Sequence, residues 1–277
     1  MCRHLAYLGP PLSLRELLID PPGGLYTQSW APRRQRYGTV NADGFGIGWY
    51  PQDGTPPARY RRAVPVWADG NLPDLARTVR SGAVLAAVRS ATPGTTQDES
   101  AAAPYREGRW LFSHNGAVPD WTRALTELVG DLTAEDLLAV ESRCDSALLW
   151  LLVRHRLRAG RPAGPALADV AARTAWACPE ARANLLLTDG RSVIATRCGD
   201  SLWYRTAPGA VLVASEPFEP SGPFEPSGGE PSGGDGWREV PEHSLLRATA
   251  ESVEITPLPA APAPRPAPPL SERMPTA

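Results

Sequence analysis

Four short stretches of this chain carry residues that could act together on one bond. The first is Cys2. Methionine aminopeptidase removes Met1 when the second residue is small, which leaves a thiol and a free α-amine on one residue. That amine, with an ordinary pKa of about 7.7–8.0, can take the thiol proton, often through one water, and later return it to a leaving amine. The second stretch is Arg89-Ser90-Ala91-Thr92-Pro93-Gly94, where an apolar run gives way to a polar loop. The guanidinium fork of an arginine there can hold a carboxylate bidentately. The third is Phe112-Ser113-His114-Asn115-Gly116. Its Asn115 amide and Gly116 backbone N–H can point at one developing oxyanion, and losing such a donor typically costs roughly 10²–10³ in rate. The fourth is Asp145, at the start of an apolar helix, where a carboxylate could meet a substrate ammonium.

Each stretch also has an ordinary reading: an N-terminal thiol without a role, a surface ion pair, an Asn-Gly turn and a helix N-cap. Taken in order they complement one another. Arg89 would bind an α-carboxylate and Asp145 an α-ammonium, Asn115 and Gly116 would stabilise a tetrahedral oxyanion, and Cys2 would attack. That set describes a site for a glutamyl group anchored by its amino-acid end. Ser90, Thr92 and His114 stand beside these residues as further candidate substrate contacts. His4 and His114 invite a Cys–His dyad, but Cys2 brings its own base, so hydrogen-bonded structural histidines are the simpler reading. Asp43-Gly44-Phe45-Gly46-Ile47-Gly48 has the spacing G-x-G-x-G, not the dinucleotide fingerprint, and reads as a glycine-rich strand near Cys2.

The elements that must position these residues follow from patterning. Arg3–Leu8 reads as a strand that begins at the N-terminus itself. Ser13 with Glu16 reads as a capping box for a short helix, Leu14–Ile19. Phe45–Tyr50 and Ala58–Val66 look like paired strands, Asn71–Arg80 a helix, and Ala83–Ser90 a buried strand. Trp110–Ser113 is a strand ending in His114-Asn115-Gly116. Helices follow near Trp121–Val129, Ala134–Val140, Ser146–Leu157 and Ala166–Ala177. Strands return at Ala183–Thr188, Ser192–Arg197, Ser201–Tyr204 and Ala210–Ala214, with Asp189-Gly190 as a hairpin turn. A last pair is expected near Ser244–Ala248 and Ser252–Ile255. Two strand groups flanking helices suit an α+β fold rather than a doubly wound sheet.

Residues 216–236 are of low complexity: PFEPSG occurs at Pro217–Gly222 and again at Pro223–Gly228. This insertion is expected to be a flexible loop, so that deleting Gly222–Gly234 would be nearly neutral. The domain is expected to span residues 2–256, followed by a disordered Pro/Ala tail over 257–277. The net charge is −2, with 28 basic and 30 acidic residues and no basic stripe, so no nucleic-acid partner is expected. None of the four cysteines lies in a C-x-x-C pair, and no histidine has zinc-ligand spacing, so neither a metal nor a disulfide framework is expected. Cys144, Cys178 and Cys198 read as buried thiols. No segment approaches the ~20 apolar residues of a membrane helix, and no signal peptide opens the chain, so no membrane partner and a cytoplasmic location are expected.

As an ordered set, Cys2, Arg89 with Ala91-Thr92, Asn115-Gly116 and Asp145 resemble the class II (N-terminal cysteine) glutamine amidotransferases. The resemblance runs from Cys2 to about Glu216-Pro217. It implies a four-layer αββα sandwich, the N-terminal nucleophile hydrolase fold, with Cys2, Asn115 and Gly116 catalytic and Arg89 and Asp145 binding substrate. CRHLAYLG, NADGFGIGWY (Asn41–Tyr50), RSATPG and ASEP (Ala214–Pro217) look like one branch, the stand-alone γ-glutamyl-hercynylcysteine sulfoxide hydrolases of ergothioneine biosynthesis. The resemblance to that branch implies a small γ-glutamyl substrate, a Cys2 thioester, no cofactor and no required protein partner. Many family members have Trp after the Arg and His after the Thr, where this chain has Ser90 and Pro93. A downstream Asn-x-His-Pro is Ala101-Ala102-Ala103-Pro104 here. The loop of residues 91–104 is therefore remodelled, as expected if it admits a leaving group larger than ammonia. An amidohydrolase needs no synthase domain, and the sequence after the core is too short for one. The alternative is a glutaminase subunit that delivers ammonia to a separate synthase, and a non-enzymatic descendant is a third possibility.

Overall fold

A computed structural model of the protein describes residues 2–92, 94–124, 126–224 and 236–260. Strands β1 (Arg3–Ser13), β2 (Phe45–Trp49), β3 (Ala58–Arg62), β4 (Arg80–Val88), β5 (Tyr105–Glu107) and β6 (Trp110–Ala117) precede a helical middle. Strands β7 (Arg182–Thr188), β8 (Val193–Arg197), β9 (Trp203–Ala207), β10 (Ala210–Ala214), β11 (Arg238–Glu239), β12 (Ser244–Ala248) and β13 (Val253–Pro257) follow it. They form two sheets, ordered β11-β9-β10-β1-β4-β2-β3 and β13-β12-β8-β7-β6-β5. Every pairing is antiparallel.

Side chains alternate across each strand, so one face of each sheet packs on the other sheet. Ala6 and Leu8 of β1, Leu85 of β4 and Val213 of β10 meet Leu111, Leu186 and Ala195 of the second sheet. The opposite faces carry the outer layers. Leu5, Tyr7, Phe45, Val84 and Leu212 pack on Leu14, Leu17, Leu18 and Leu72 from short helical turns. Phe112, Leu185 and Leu187 pack on Leu149, Val153, Leu167 and Val170 of the helices Asp145–Arg158 and Ala163–Ala177. The Phe112 and Trp150 rings stack at 5.3 Å. Each fully buried aliphatic or aromatic side chain contributes roughly 1.5–3 kcal/mol. The order helices, sheet, sheet, helices is the αββα sandwich expected from the sequence.

The capping box forms: the Ser13 hydroxyl donates to Glu16 Oε2 at 2.6 Å and accepts from the Glu16 N–H at 3.1 Å. It opens a single π-helical turn, Arg15–Ile19. β6 departs from expectation by continuing through Asn115 and Gly116 to Ala117, so this Asn-Gly is strand and not turn. The repeat segment also departs from expectation. Phe218 and Phe224 are buried, the Phe218 and Trp237 rings lie 5.3 Å apart, and Phe224 meets Tyr7 edge-on at 6.2 Å. Two phenylalanines per pair of repeats supply enough apolar surface to pack despite the Pro and Gly around them. Residues 225–235 and 261–277, where the rest of the insertion and most of the tail were expected, lie outside the described residues. Residue 257 closes β13 rather than opening a tail, and the Leu258 N–H donates to the His243 carbonyl at 2.8 Å. Cys144 and Cys198 are buried as expected, whereas Cys178 is only half-buried. No helix among the described residues is long and apolar enough to cross a membrane.

Candidate active site

Cys2 stands immediately before β1, which runs between β10 and β4 in its sheet. Alternation puts Cys2 on the same face as His4, Ala6 and Leu8, toward the second sheet. Ser113 and Asn115 of β6 reach back from that sheet. The His4 Nδ1 pairs with the Ser113 hydroxyl at 3.2 Å, and the Asn115 Nδ2 donates to Ser215 Oγ at 3.1 Å. Ser215 fastens the arrangement. Its hydroxyl accepts from the His4 N–H at 2.9 Å and donates to the His4 carbonyl at 3.2 Å. One hydroxyl at the end of β10 thus ties the strand that carries Cys2 to the side chain of Asn115.

The Cys2 thiol donates to the Ser90 carbonyl across 3.8 Å. It opens on a small cleft whose lining includes Phe45, Arg89, His114 and Ser146. Burial pushes the thiol pKa up, while the N-terminal charge, the Ser90 bond and Arg89 pull it down and Asp145 pushes it up. A thiol held in its protonated form needs a base within reach before it can attack. His4 does not supply one: it is buried, and burial, with His114 and Arg3 nearby, brings its pKa down to about 3.

Arg89 and Asp145 are both buried. The Arg89 Nη1 donates to the Asp43 carbonyl at 3.2 Å, and its Nη2 donates to Thr95 Oγ1 at 3.0 Å and the Thr96 carbonyl at 2.8 Å. These acceptors are neutral, and among the described residues Arg89 makes no ion pair. Asp145 is the first residue of its helix, and Cys144 rather than Asp145 is the N-cap. Its Oδ2 accepts the Val118 N–H at 3.0 Å and its Oδ1 the Ser146 N–H at 2.8 Å. It too has no ion-pair partner among the described residues. Both charges act on the Cys2 thiol.

Gly116 is dictated by space. A Cβ there would stand 1.8 Å from the Arg182 carbonyl oxygen. Asn115 is fully buried, and its Oδ1 has no partner. His114, a candidate substrate contact, has both ring nitrogens engaged, Nε2 with the Arg182 carbonyl at 2.9 Å and Nδ1 with the Ser146 hydroxyl at 2.9 Å. The carbonyl can only accept, so Nε2 carries the proton. Ser90 faces Cys2 through its carbonyl, and Thr92 uses its carbonyl to accept from Thr95 Oγ1 at 2.6 Å.

The loop that leads into β5 is strapped down. Arg61 donates to the Ser100 and Ala102 carbonyls, and a Cβ on Gly46 would lie 2.1 Å from the Ala103 oxygen. The glycine-rich strand β2 therefore lets this loop approach the site closely. Asp43, which sequence reasoning passed over, accepts the Ala91 N–H at 2.7 Å and sets the path after Arg89. Ser215 was also passed over as a functional residue. The only sequence signal for either was its place within NADG and ASEP. Cys198, Glu242 and His243 bring ligand atoms within 4.8 Å of one another. Glu242 is already held there by Arg197 at 3.2 Å and by the Gly199 N–H at 2.7 Å.

Comparison with known proteins adds an independent line. Residues 24–215 match the family model described as glutamine amidotransferases class-II. A Mycobacterium tuberculosis protein named gamma-glutamyl-hercynylcysteine sulfoxide hydrolase is 40% identical over 266 residues, covering 96% of this chain and all of that one. A glutamine aminotransferase class-II domain protein from Silicibacter pomeroyi superposes with a TM-score of 0.61 at 24% identity, over 93% of this chain and all of that one. The Bacillus subtilis glutamine phosphoribosylpyrophosphate amidotransferase gives 0.60 at 14% identity, over 93% of this chain and 49% of that one.

Proposed function

This chain belongs to the class II glutamine amidotransferases, and on that footing we propose that it hydrolyses the γ-glutamyl amide of γ-glutamyl-hercynylcysteine sulfoxide, releasing glutamate and hercynylcysteine sulfoxide. The observation that carries the reading is the pair of buried, opposite and unpaired charges beside Cys2. Leaving either charge buried without a counter-ion is costly. The α-carboxylate and α-ammonium of a glutamyl group would neutralise Arg89 and Asp145 together. The γ-carbonyl would then lie at the thiol, three carbons further on.

The chemistry follows from the residues. With Met1 removed, the α-amine of Cys2 accepts the thiol proton, and the sulfur attacks the γ-carbonyl carbon. The oxyanion forms against the Gly116 N–H and the Asn115 amide. The α-ammonium returns its proton to the departing nitrogen as the C–N bond breaks, leaving a thioester on Cys2. Water, deprotonated by the same amine, attacks the thioester, and the thiol is restored as glutamate leaves. The mycobacterial relative's name, across nearly the whole length of both chains, supports hercynylcysteine sulfoxide as the leaving amine.

The test is glutamate release by the purified protein from γ-glutamyl-hercynylcysteine sulfoxide and, separately, from glutamine. Release from the sulfoxide without any partner is expected, and activity on glutamine alone would sink the reading. Cys2→Ala is expected to abolish turnover while leaving the unfolding temperature unchanged. Intact mass should show that Met1 is lost.

A further inference from the structure

Arg89 and Asp145 belong to different parts of the fold. Arg89 directly follows β4 of the first sheet, whereas Asp145 opens the helix Asp145–Arg158, which packs on the second. A ligand that bears both a carboxylate and an ammonium on one carbon meets both charges only when the gap between them is right. Ion-pair energy falls with distance, so the part of the structure that fixes this gap also fixes affinity.

Thr96 joins the two parts. Its carbonyl accepts from Arg89 Nη2 at 2.8 Å. Its N–H donates to the Arg143 carbonyl at 3.2 Å, and its Oγ1 accepts the Arg143 N–H at 3.2 Å. Arg143 stands two residues before Asp145. One threonine therefore links the guanidinium to the turn that delivers the carboxylate, and its hydroxyl closes a reciprocal pair with a single backbone unit. Thr95 also meets the Arg89 guanidinium, at 3.0 Å, but its hydroxyl turns back to the Thr92 carbonyl. Further along, other ties hold the same two segments together. Arg61 reaches the Ser100 and Ala102 carbonyls and also Glu141, at 3.2 Å. The Tyr105 hydroxyl lies 3.2 Å from the Ala101 carbonyl and 3.3 Å from Sγ of Cys144, the N-cap of the Asp145 helix. These ties support the junction while Thr96 carries it to Arg89.

We infer that Thr96 is a positioning residue: by joining Arg89 to Arg143 it sets the gap between the two buried charges, and so governs affinity for ligands that carry both an α-carboxylate and an α-ammonium. The inference rests on the proposed glutamyl site. Thr96 touches no reacting atom, so its loss weakens binding and leaves the chemistry at Cys2 intact. A ligand that uses only one of the two charges is indifferent to the gap.

The experiment compares full-length wild type with Thr96→Val, which keeps the shape and the backbone bond but removes the hydroxyl, and with Thr96→Ser, which keeps the hydroxyl. The probe is 6-diazo-5-oxonorleucine, a glutamine analogue that alkylates Cys2, followed by intact mass so that KI and kinact are separated. L-glutamate and glutarate, which lacks the α-ammonium, are titrated as protectants. Thr96→Val should raise KI about fivefold with kinact unchanged, the loss that one hydrogen bond accounts for. It should weaken protection by glutamate to the same degree and leave protection by glutarate unchanged. Thr96→Ser should return KI to within about twofold of wild type. An unchanged KI in Thr96→Val, or a loss of glutarate protection equal to that of glutamate, overturns the role of Thr96 alone. A wild-type Cys2 that the probe does not alkylate, or that glutamate does not protect, overturns the glutamyl site and the role of Thr96 with it.

Discussion

Gly116 admits no side chain, because the Arg182 carbonyl occupies the place where a Cβ would be. Gly116→Ala is therefore expected to separate β6 from β7 and to remove soluble, folded protein, measured as the yield of monodisperse material. Arg89 fails differently when changed. Its fork reaches three acceptors and still has N–H groups left for a substrate carboxylate. Lysine, a single ammonium, cannot do both, so Arg89→Lys should raise KM about tenfold or more while changing kcat less. An unchanged KM would remove Arg89 from substrate binding. At this scale the sequence singled residues out by their own type: the structure buries Arg89, Asn115 and Asp145 and leaves no room for a side chain at Gly116. It was unreadable for Ser215, whose work is to bond the backbone of His4 across 211 residues of chain. A lone serine at a strand end gives no sign of a partner that distant.

Among the elements, period-two alternation disclosed the strands that pack between layers, because each must be apolar on one face or both. It missed β5 and β11, of three and two residues, which are too short for any period to register. Composition misled in the repeat segment. Proline, glycine and serine dominate by number, but Phe218 and Phe224 determine how the described part of it behaves. A deletion beginning at Gly222 would remove Phe224 and is not expected to be neutral. Phe224→Ala should cost about 3 kcal/mol in chemical denaturation, since it empties a packed site against Tyr7. A deletion confined to residues 226–234 should leave glutamate release unchanged.

For the whole molecule, the succession of strands, helices and strands pointed to an α+β fold and the family resemblance to its αββα layers, while the pairing of β1 with both β4 and β10 followed from neither. That pairing buries His4 between the sheets with consequences for acid stability. Its folded pKa is about 3, against an ordinary value near 6.5 in the unfolded chain. Between these values the unfolded chain takes up a proton that the folded protein refuses, so stability falls as pH drops below about 6.5. Going from pH 7 to pH 5 should cost about 2 kcal/mol through this one group, read as a shift in urea midpoint. His4→Asn should flatten that dependence, and an equally steep variant would assign the acid sensitivity elsewhere.

The central position of β1 also sets when catalysis can begin. Cys2 leads into β1, whose neighbours lie far along the chain, at residues 80–88 and 211–214. Until the second of these has been synthesised, β1 has an open edge and Ser215 is not there to join it to Asn115. The Cys2 thiol is thus made before both of the strands that position it. Nascent chains are expected to be inactive, and a fusion at the N-terminus would block the α-amine and crowd the middle of a sheet.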